Sequence, residues 1–153
     1  MIRFTRTAVM LAAFAAVIAT GISPASAAPK DDYFIVDTQF IDAPSDIVEA
    51  GGAFSDCTQV LDLGGIGEQI GPRKVIFIGD KLVQCASGEV LIHYNATLNF
   101  ESGKKTSGHW FVVESTVPGI TEGFGTVRGD SSRCELVEGS EGCILDVFEG
   151  TVG

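Results

Sequence analysis

The chain has 153 residues, of which 20 are acidic and 10 basic, for a formal net charge of −10. That length predicts one domain, and a 45% hydrophobic content is enough to build its core. The negative balance, without Lys/Arg clusters, excludes a phosphate-backbone footprint and argues against nucleic acid or an anionic membrane surface as partner.

The N-terminal "MIRFTRTAVMLAAFAAVIATGISPASAA" reads as a secretory signal peptide. Arg3 and Arg6 supply positive charge, Ala8 to Thr20 an apolar stretch, and Ala25-Ser26-Ala27 a small-residue cleavage site. Cleavage is expected after Ala27, leaving residues 28–153 as a single extracellular domain, more acidic still because two arginines and no acid are removed. The apolar run is short for a membrane span, so no membrane association is expected after processing. No cysteine lies near the cleavage site to carry a lipid, and the arginines are not adjacent as twin-arginine export requires.

"YFIVDTQF" (33–40) alternates with Phe34, Val36, Thr38 and Phe40 on one side, as a strand does. "IDAPSDIVEAGG" breaks that regularity with Pro44 and Gly51-Gly52 and predicts a loop or one short helical turn. Further strands are predicted at 53–61, 74–78, 90–100, 106–115, 123–128 and 143–152, with short edge pieces at 82–85 and 134–137. Outside the signal peptide no segment carries a sustained 3.6-residue apolar repeat. Gly64-Gly65, Gly79-Asp80, Ser102-Gly103, Pro118-Gly119, Gly129-Asp130 and Gly139-Ser140 fall between these runs as turns. Short, evenly spaced strands joined by such turns describe an all-β antiparallel meander, closed as a barrel or folded as a sandwich. The short connections favour sequential neighbours and so the barrel.

The hairpin between "LIHYNATLNF" and "GHWFVVEST" decides what faces inward. A two-residue Ser102-Gly103 turn would place a serine at positive φ, whereas a three-residue Glu101-Ser102-Gly103 loop asks that only of Gly103. The second choice sets Tyr94 opposite Trp110 and Ile92 opposite Val112. It also turns Glu114 inward, and a carboxylate against an apolar wall tends to raise its pKa or find a partner. His93 falls on the polar face beside Asn95, with a solvent role; His109 does not pair with it into a metal site.

All four cysteines, Cys57, Cys85, Cys134 and Cys143, follow the signal, and an even count in an exported chain points to disulfides. Three connectivities exist; locality favours Cys57 with Cys85 and Cys134 with Cys143, each contributing roughly 3 to 4 kcal/mol on a chain-entropy basis. The Cys-x-x-Cys or His-x-x-x-His spacings of a zinc site are missing, so no metal and no cofactor is expected.

"PGITEGFGTVRGD" (118–130) and the terminal "CILDVFEGTVG", preceded by the aromatic "GHWFVVEST", resemble the recurring glycine pattern of the allene oxide cyclase-like and dirigent-type β-barrel proteins, in their secreted bacterial branch. The similar part is Gly119-Ile120, Glu122-Gly123, Gly125 and Val127, over residues 73–153. Within "GITEGFGTV" the spacing is one residue shorter than the family pattern, and that family's catalytic residues find no counterparts in the N-terminal half. The resemblance implies an eight-stranded, calycin-like antiparallel barrel with an interior cavity, in which relatives bind or cyclise hydrophobic oxygenated molecules. Fold likeness alone does not transfer that chemistry.

Tyr94, Trp110, Val112 and Glu114 are the candidate ligand-binding set: two aromatic planes with polar handles, an apolar wall and one carboxylate. Glu114 is the candidate general acid or base. Asp146 is the reserve; in "CILDVFEG" it shares a face with Ile144 and Phe148, the opposite face carries Glu149, and the pattern leaves open which face is inside. "RGDS" (128–131) matches an integrin-recognition tripeptide, but Gly129-Asp130 is ordinary hairpin-turn chemistry and the turn reading is preferred. With no catalytic set assembled, the leading expectation is a non-catalytic secreted barrel that binds a small apolar ligand or an extracellular protein partner. The alternatives are a cyclase or isomerase acting in the cavity, and an extracellular protease inhibitor.

Overall fold

A computed structural model describes residues 32–39, 43–99, 105–130, 135, 137–139 and 142–153. The signal-like segment, the hairpin loop at Glu101-Ser102-Gly103 and Cys134 lie outside the described residues. Among those described, eight strands follow one another: β1 (Asp32–Gln39), β2 (Ser45–Gly51), β3 (Cys57–Gly71), β4 (Lys74–Cys85), β5 (Gly88–Asn99), β6 (Lys105–Ser115), β7 (Gly123–Asp130) and β8 (Cys143–Val152). Each pairs antiparallel with the next, and β8 returns to β1, with Phe34 opposite Phe148 and Thr38 opposite Ile144. The sheet is thus a closed meander barrel, as the turn spacing predicts, and not a sandwich.

Period-two alternation delivers one apolar face to the interior. In β5 the inward Val90, Ile92, Ala96 and Leu98 are buried, and in β8 Ile144, Asp146 and Phe148 are. The β5–β6 register follows the predicted pairing, Tyr94 opposite Trp110 and Ile92 opposite Val112. Cys57 lies opposite Cys85 and the two form the predicted disulfide, stapling the β3–β4 pair.

Several local expectations are corrected. The segment read as a loop or helical turn contains β2, because Ala50 and Ile47 pair with Phe34 and Val36, and Ser45 pairs with Val60. Ala53 and Phe54, read as the start of a strand, lie instead in a 3₁₀ turn, Gly52–Phe54, entered through Gly52 at φ 61°. Gly64-Gly65 and Gly79-Asp80 are not turns. Gly65 sits opposite Gly79 inside one long hairpin whose reversal falls at Pro72-Arg73, so the two predicted pieces at 74–78 and 82–85 are one strand, β4. A Cβ on Gly65 would stand 2.7 Å from the Ile78 carbonyl oxygen, and one on Gly79 2.6 Å from that of Gly64, so the glycines serve close strand approach. Gly129-Asp130 ends β7 within the sheet; Arg128 pairs with Glu149 there, so the RGD tripeptide is not a free loop tip. Glu135 and Val137 are not in a strand.

The interior divides into two halves. At the end where β1 begins and β8 finishes, the 3₁₀ turn drives Phe54 into the barrel. Its backbone is tied down by Asp32, whose carboxylate accepts from the Ala53 N–H at 2.9 Å and from the Val152 N–H at 3.2 Å. Phe54 meets Phe34 edge-on at 5.1 Å and Trp110 at 6.0 Å, while Phe34 stacks on Phe148 at 4.7 Å. Val117 and Ile120, on the β6–β7 connection, are buried in the same core cluster. This half is packed solid. The other half is hollow.

Candidate functional site

The hollow half is a cavity of about 360 Å³ at the end where β1 finishes and β4 and β6 begin. That lies at the lower end of the size range of small-molecule sites. Its walls are largely apolar, from Phe77, Ala96, Leu98, Val127, Ile144 and Phe148, and a polar cluster is set among them.

Asp146 is the centre of that cluster. Alternation along β8 points it inward between Ile144 and Phe148, and it is 6% exposed. Thr38 on β1 donates its hydroxyl to Asp146 Oδ2 at 3.0 Å. The other oxygen, Oδ1, has no hydrogen-bond partner, and neither has the hydroxyl of Thr106 on β6, which faces it without reaching hydrogen-bond geometry. Room for the carboxylate comes from Gly129 on β7, where a Cβ would stand 2.2 Å from Oδ1 and 2.8 Å from Thr106 Oγ1. Burial pushes the Asp146 carboxyl up to about 6, against the lowering effects of the Lys81 charge and of the Thr38 and Thr106 hydroxyls.

Lys81 enters from β4, 3% exposed, and donates to both carboxylate oxygens of Asp62 on β3, at 2.7 and 2.8 Å. Its ammonium lies 5.1 Å from the centre of the Tyr94 ring, within cation–π range. The Tyr94 phenol is held well above its ordinary range, first by burial and then by the charges of Asp62, Asp146 and Asp80, so it is a neutral hydroxyl at physiological pH. The site therefore combines one ion pair whose ammonium is buried and whose carboxylate is exposed, one buried carboxyl able to change charge near neutrality, and neutral hydroxyls, all against apolar walls.

Of the predicted ligand-binding set, Tyr94 lines the cavity. Trp110 points inward, but it is 1% exposed in the packed half and forms no cavity wall; Val112 packs against the same core cluster. The inward placement of Glu114 is overturned. The β5–β6 register shifts by one between Ile92, opposite Val112, and Leu91, opposite Glu114, so Val113 is an extra residue in β6. Such a bulge exchanges the faces beyond it, and Glu114 is exposed on the outside of the barrel. The reserve residue, Asp146, is the buried carboxyl.

His93 and His109 both lie on the outer face; His93 Nδ1 is 2.7 Å from Asp80 Oδ1, and its ring is 5.1 Å from that of Phe111. Lys81, Asp62, Thr38 and Thr106 were not singled out by sequence reasoning. A signal for Lys81 existed: once 74–85 is one strand, Lys81 has the parity of Val83 and must face inward. No family model, curated protein or solved structure matches the chain.

Proposed function

We propose that the protein is a secreted, disulfide-stapled β-barrel that binds a small, largely apolar molecule in the hollow half of its interior and does no chemistry on it. One observation carries the reading: a barrel that can fill itself with aromatic side chains does so in one half only. In the other half it keeps a cavity of about 360 Å³ with buried charged groups on its wall. Burying Lys81 and Asp146 costs stability unless they are compensated, and such groups placed on a cavity wall are the usual mark of a functional site. Secretion is supported by the signal-like N-terminus and by the Cys57–Cys85 disulfide.

The test is a panel of apolar compounds followed by NMR, on the protein and on Ala96→Trp, which fills the cavity. Binding in the cavity moves resonances of Tyr94, Leu98 and Phe148, and Ala96→Trp abolishes the shifts. Shifts confined to the exposed Phe111 and Phe124, opposite one another on the outer face of β6 and β7, would replace this reading with a surface partner.

The same site supports a second reading, a cyclase or isomerase acting on a hydrophobic oxygenated substrate. The observation in its favour is the cavity-wall carboxyl of Asp146, poised to exchange a proton near neutrality. Unchanged turnover of a converted substrate by Asp146→Asn removes it.

A further inference from the structure

The hydrogen-bonding needs left open on the cavity wall define a ligand head group. An anionic head would need a free cation, yet Lys81 already gives its ammonium to both oxygens of Asp62. Such a head would also have to sit beside Asp146. What the wall leaves open is an acceptor: Asp146 Oδ1 is buried over Gly129 without a hydrogen-bond partner, and the Thr106 hydroxyl beside it, which can accept as well as donate, has none either. An unpaired buried acceptor is costly to keep, and a ligand that donates to it recovers that cost.

The charges facing Asp146 decide between a neutral and a cationic donor. Lys81 comes from β4 and Asp62 from β3, and as an ion pair the two add no formal net charge, although Lys81 is the stronger influence on Asp146; Tyr94 on β5, Thr38 on β1 and Thr106 on β6 are uncharged. With Asp146 ionised the cluster carries one net negative charge, on a chain that is itself acidic. We propose that the ligand is a small apolar primary amine, its ammonium set against Asp146 and Thr106 and its apolar body against Phe77, Leu98 and Phe148. The proposal rests on the binding function above and names its ligand class.

The experiment compares three probes with one body and three heads, 3-phenylpropan-1-amine, 3-phenylpropan-1-ol and 3-phenylpropanoate, by isothermal titration calorimetry. The amine binds at least about tenfold tighter than the other two near pH 8, the ratio expected of one charge-assisted hydrogen bond. Asp146→Asn removes that preference, bringing the affinity for the amine down to that for the alcohol. On the unsubstituted protein the preference also fades as pH falls through about 6, where Asp146 takes up a proton; this arm does not depend on a variant folding. An alcohol or carboxylate that binds as tightly as the amine, or a preference insensitive to both pH and Asp146→Asn, overturns the amine proposal and leaves the binding barrel standing. If none of the three binds and the wider apolar panel also fails to shift cavity resonances, both readings fall.

Discussion

Replacing Asp146 by asparagine tests the electrostatics of the site without any ligand. Burial raises this carboxyl from its ordinary 3.8 to about 6, so the ionised form is about 3 kcal/mol less favourable in the fold than in the unfolded chain. The folded state therefore holds the proton more tightly, and the sign follows. The neutral carboxyl's contribution to stability is fully present below about pH 4 and is lost as pH rises through about 6. Asparagine stays neutral throughout, can still accept from Thr38, and offers an N–H towards the unpartnered Thr106 hydroxyl. Urea denaturation of both proteins across this pH range is the assay, with the difference between them cancelling the titration of the surface acids. The two should be nearly equal near pH 4, and Asp146→Asn should become more stable by up to about 3 kcal/mol near pH 8. A gap that does not change with pH, or a variant that loses stability as pH rises, would refute the reasoning. Either result would mean that Lys81 holds the carboxylate ionised in the fold.

The Cys57–Cys85 bridge closes a loop of 28 residues; the double variant Cys57→Ala/Cys85→Ala should lose about 3.5 kcal/mol in urea unfolding, chiefly through the unfolded chain. Glu114→Gln, on the exposed face beyond the bulge, should change stability by less than about 0.5 kcal/mol and leave ligand affinity untouched. A large loss of affinity there would return the carboxylate to the interior.

Alternation carried most of the fold, because strands with one buried face announce their register. Alternation and the loop length alone set Tyr94 opposite Trp110 and Ile92 opposite Val112, and the pairing holds. It failed where alternation was masked. In "HWFVVEST" the extra residue is Val113, beside another valine, so nothing in the pattern marks the point where the faces exchange and Glu114 turns outward. At "IGDKLVQC" a Gly-Asp pair looks like a turn but serves close approach to Gly64 and Gly65, and reading it as a turn hid Lys81. In "CILDVFEG" each face carries one acid, and only closure of β8 on β1, which stacks Phe148 on Phe34, decides that Asp146 is the buried one.

The glycines of β7 separate the fold from the site. Its inward positions are Gly123, Gly125, Val127 and Gly129, so neighbouring strands lay their larger side chains across a nearly bare wall. Trp110 leans over Gly125 and Gly150; Asp146 and Thr106 meet over Gly129. A methyl on Gly125 would stand 2.0 Å from the Glu149 carbonyl oxygen and 2.7 Å from Trp110 Nε1. Backbone cannot yield there, so Gly125→Ala should cost more than about 3 kcal/mol and loosen the packed half, visible as a red shift of the single tryptophan's emission. The three atoms nearest a methyl on Gly129 are all in side chains, Asp146 Oδ1 at 2.2 Å, Ile144 Cγ2 at 2.6 Å and Thr106 Oγ1 at 2.8 Å. Asp146 can swing into the cavity, where water reaches it and its carboxyl titrates closer to the ordinary value. Gly129→Ala should therefore stay folded with unaltered tryptophan emission, lose most of the pH-dependent gap to Asp146→Asn, and bind cavity ligands poorly. If both variants instead unfold the barrel to the same extent, the two halves of the interior form one cooperative core and the glycine at 129 serves packing alone.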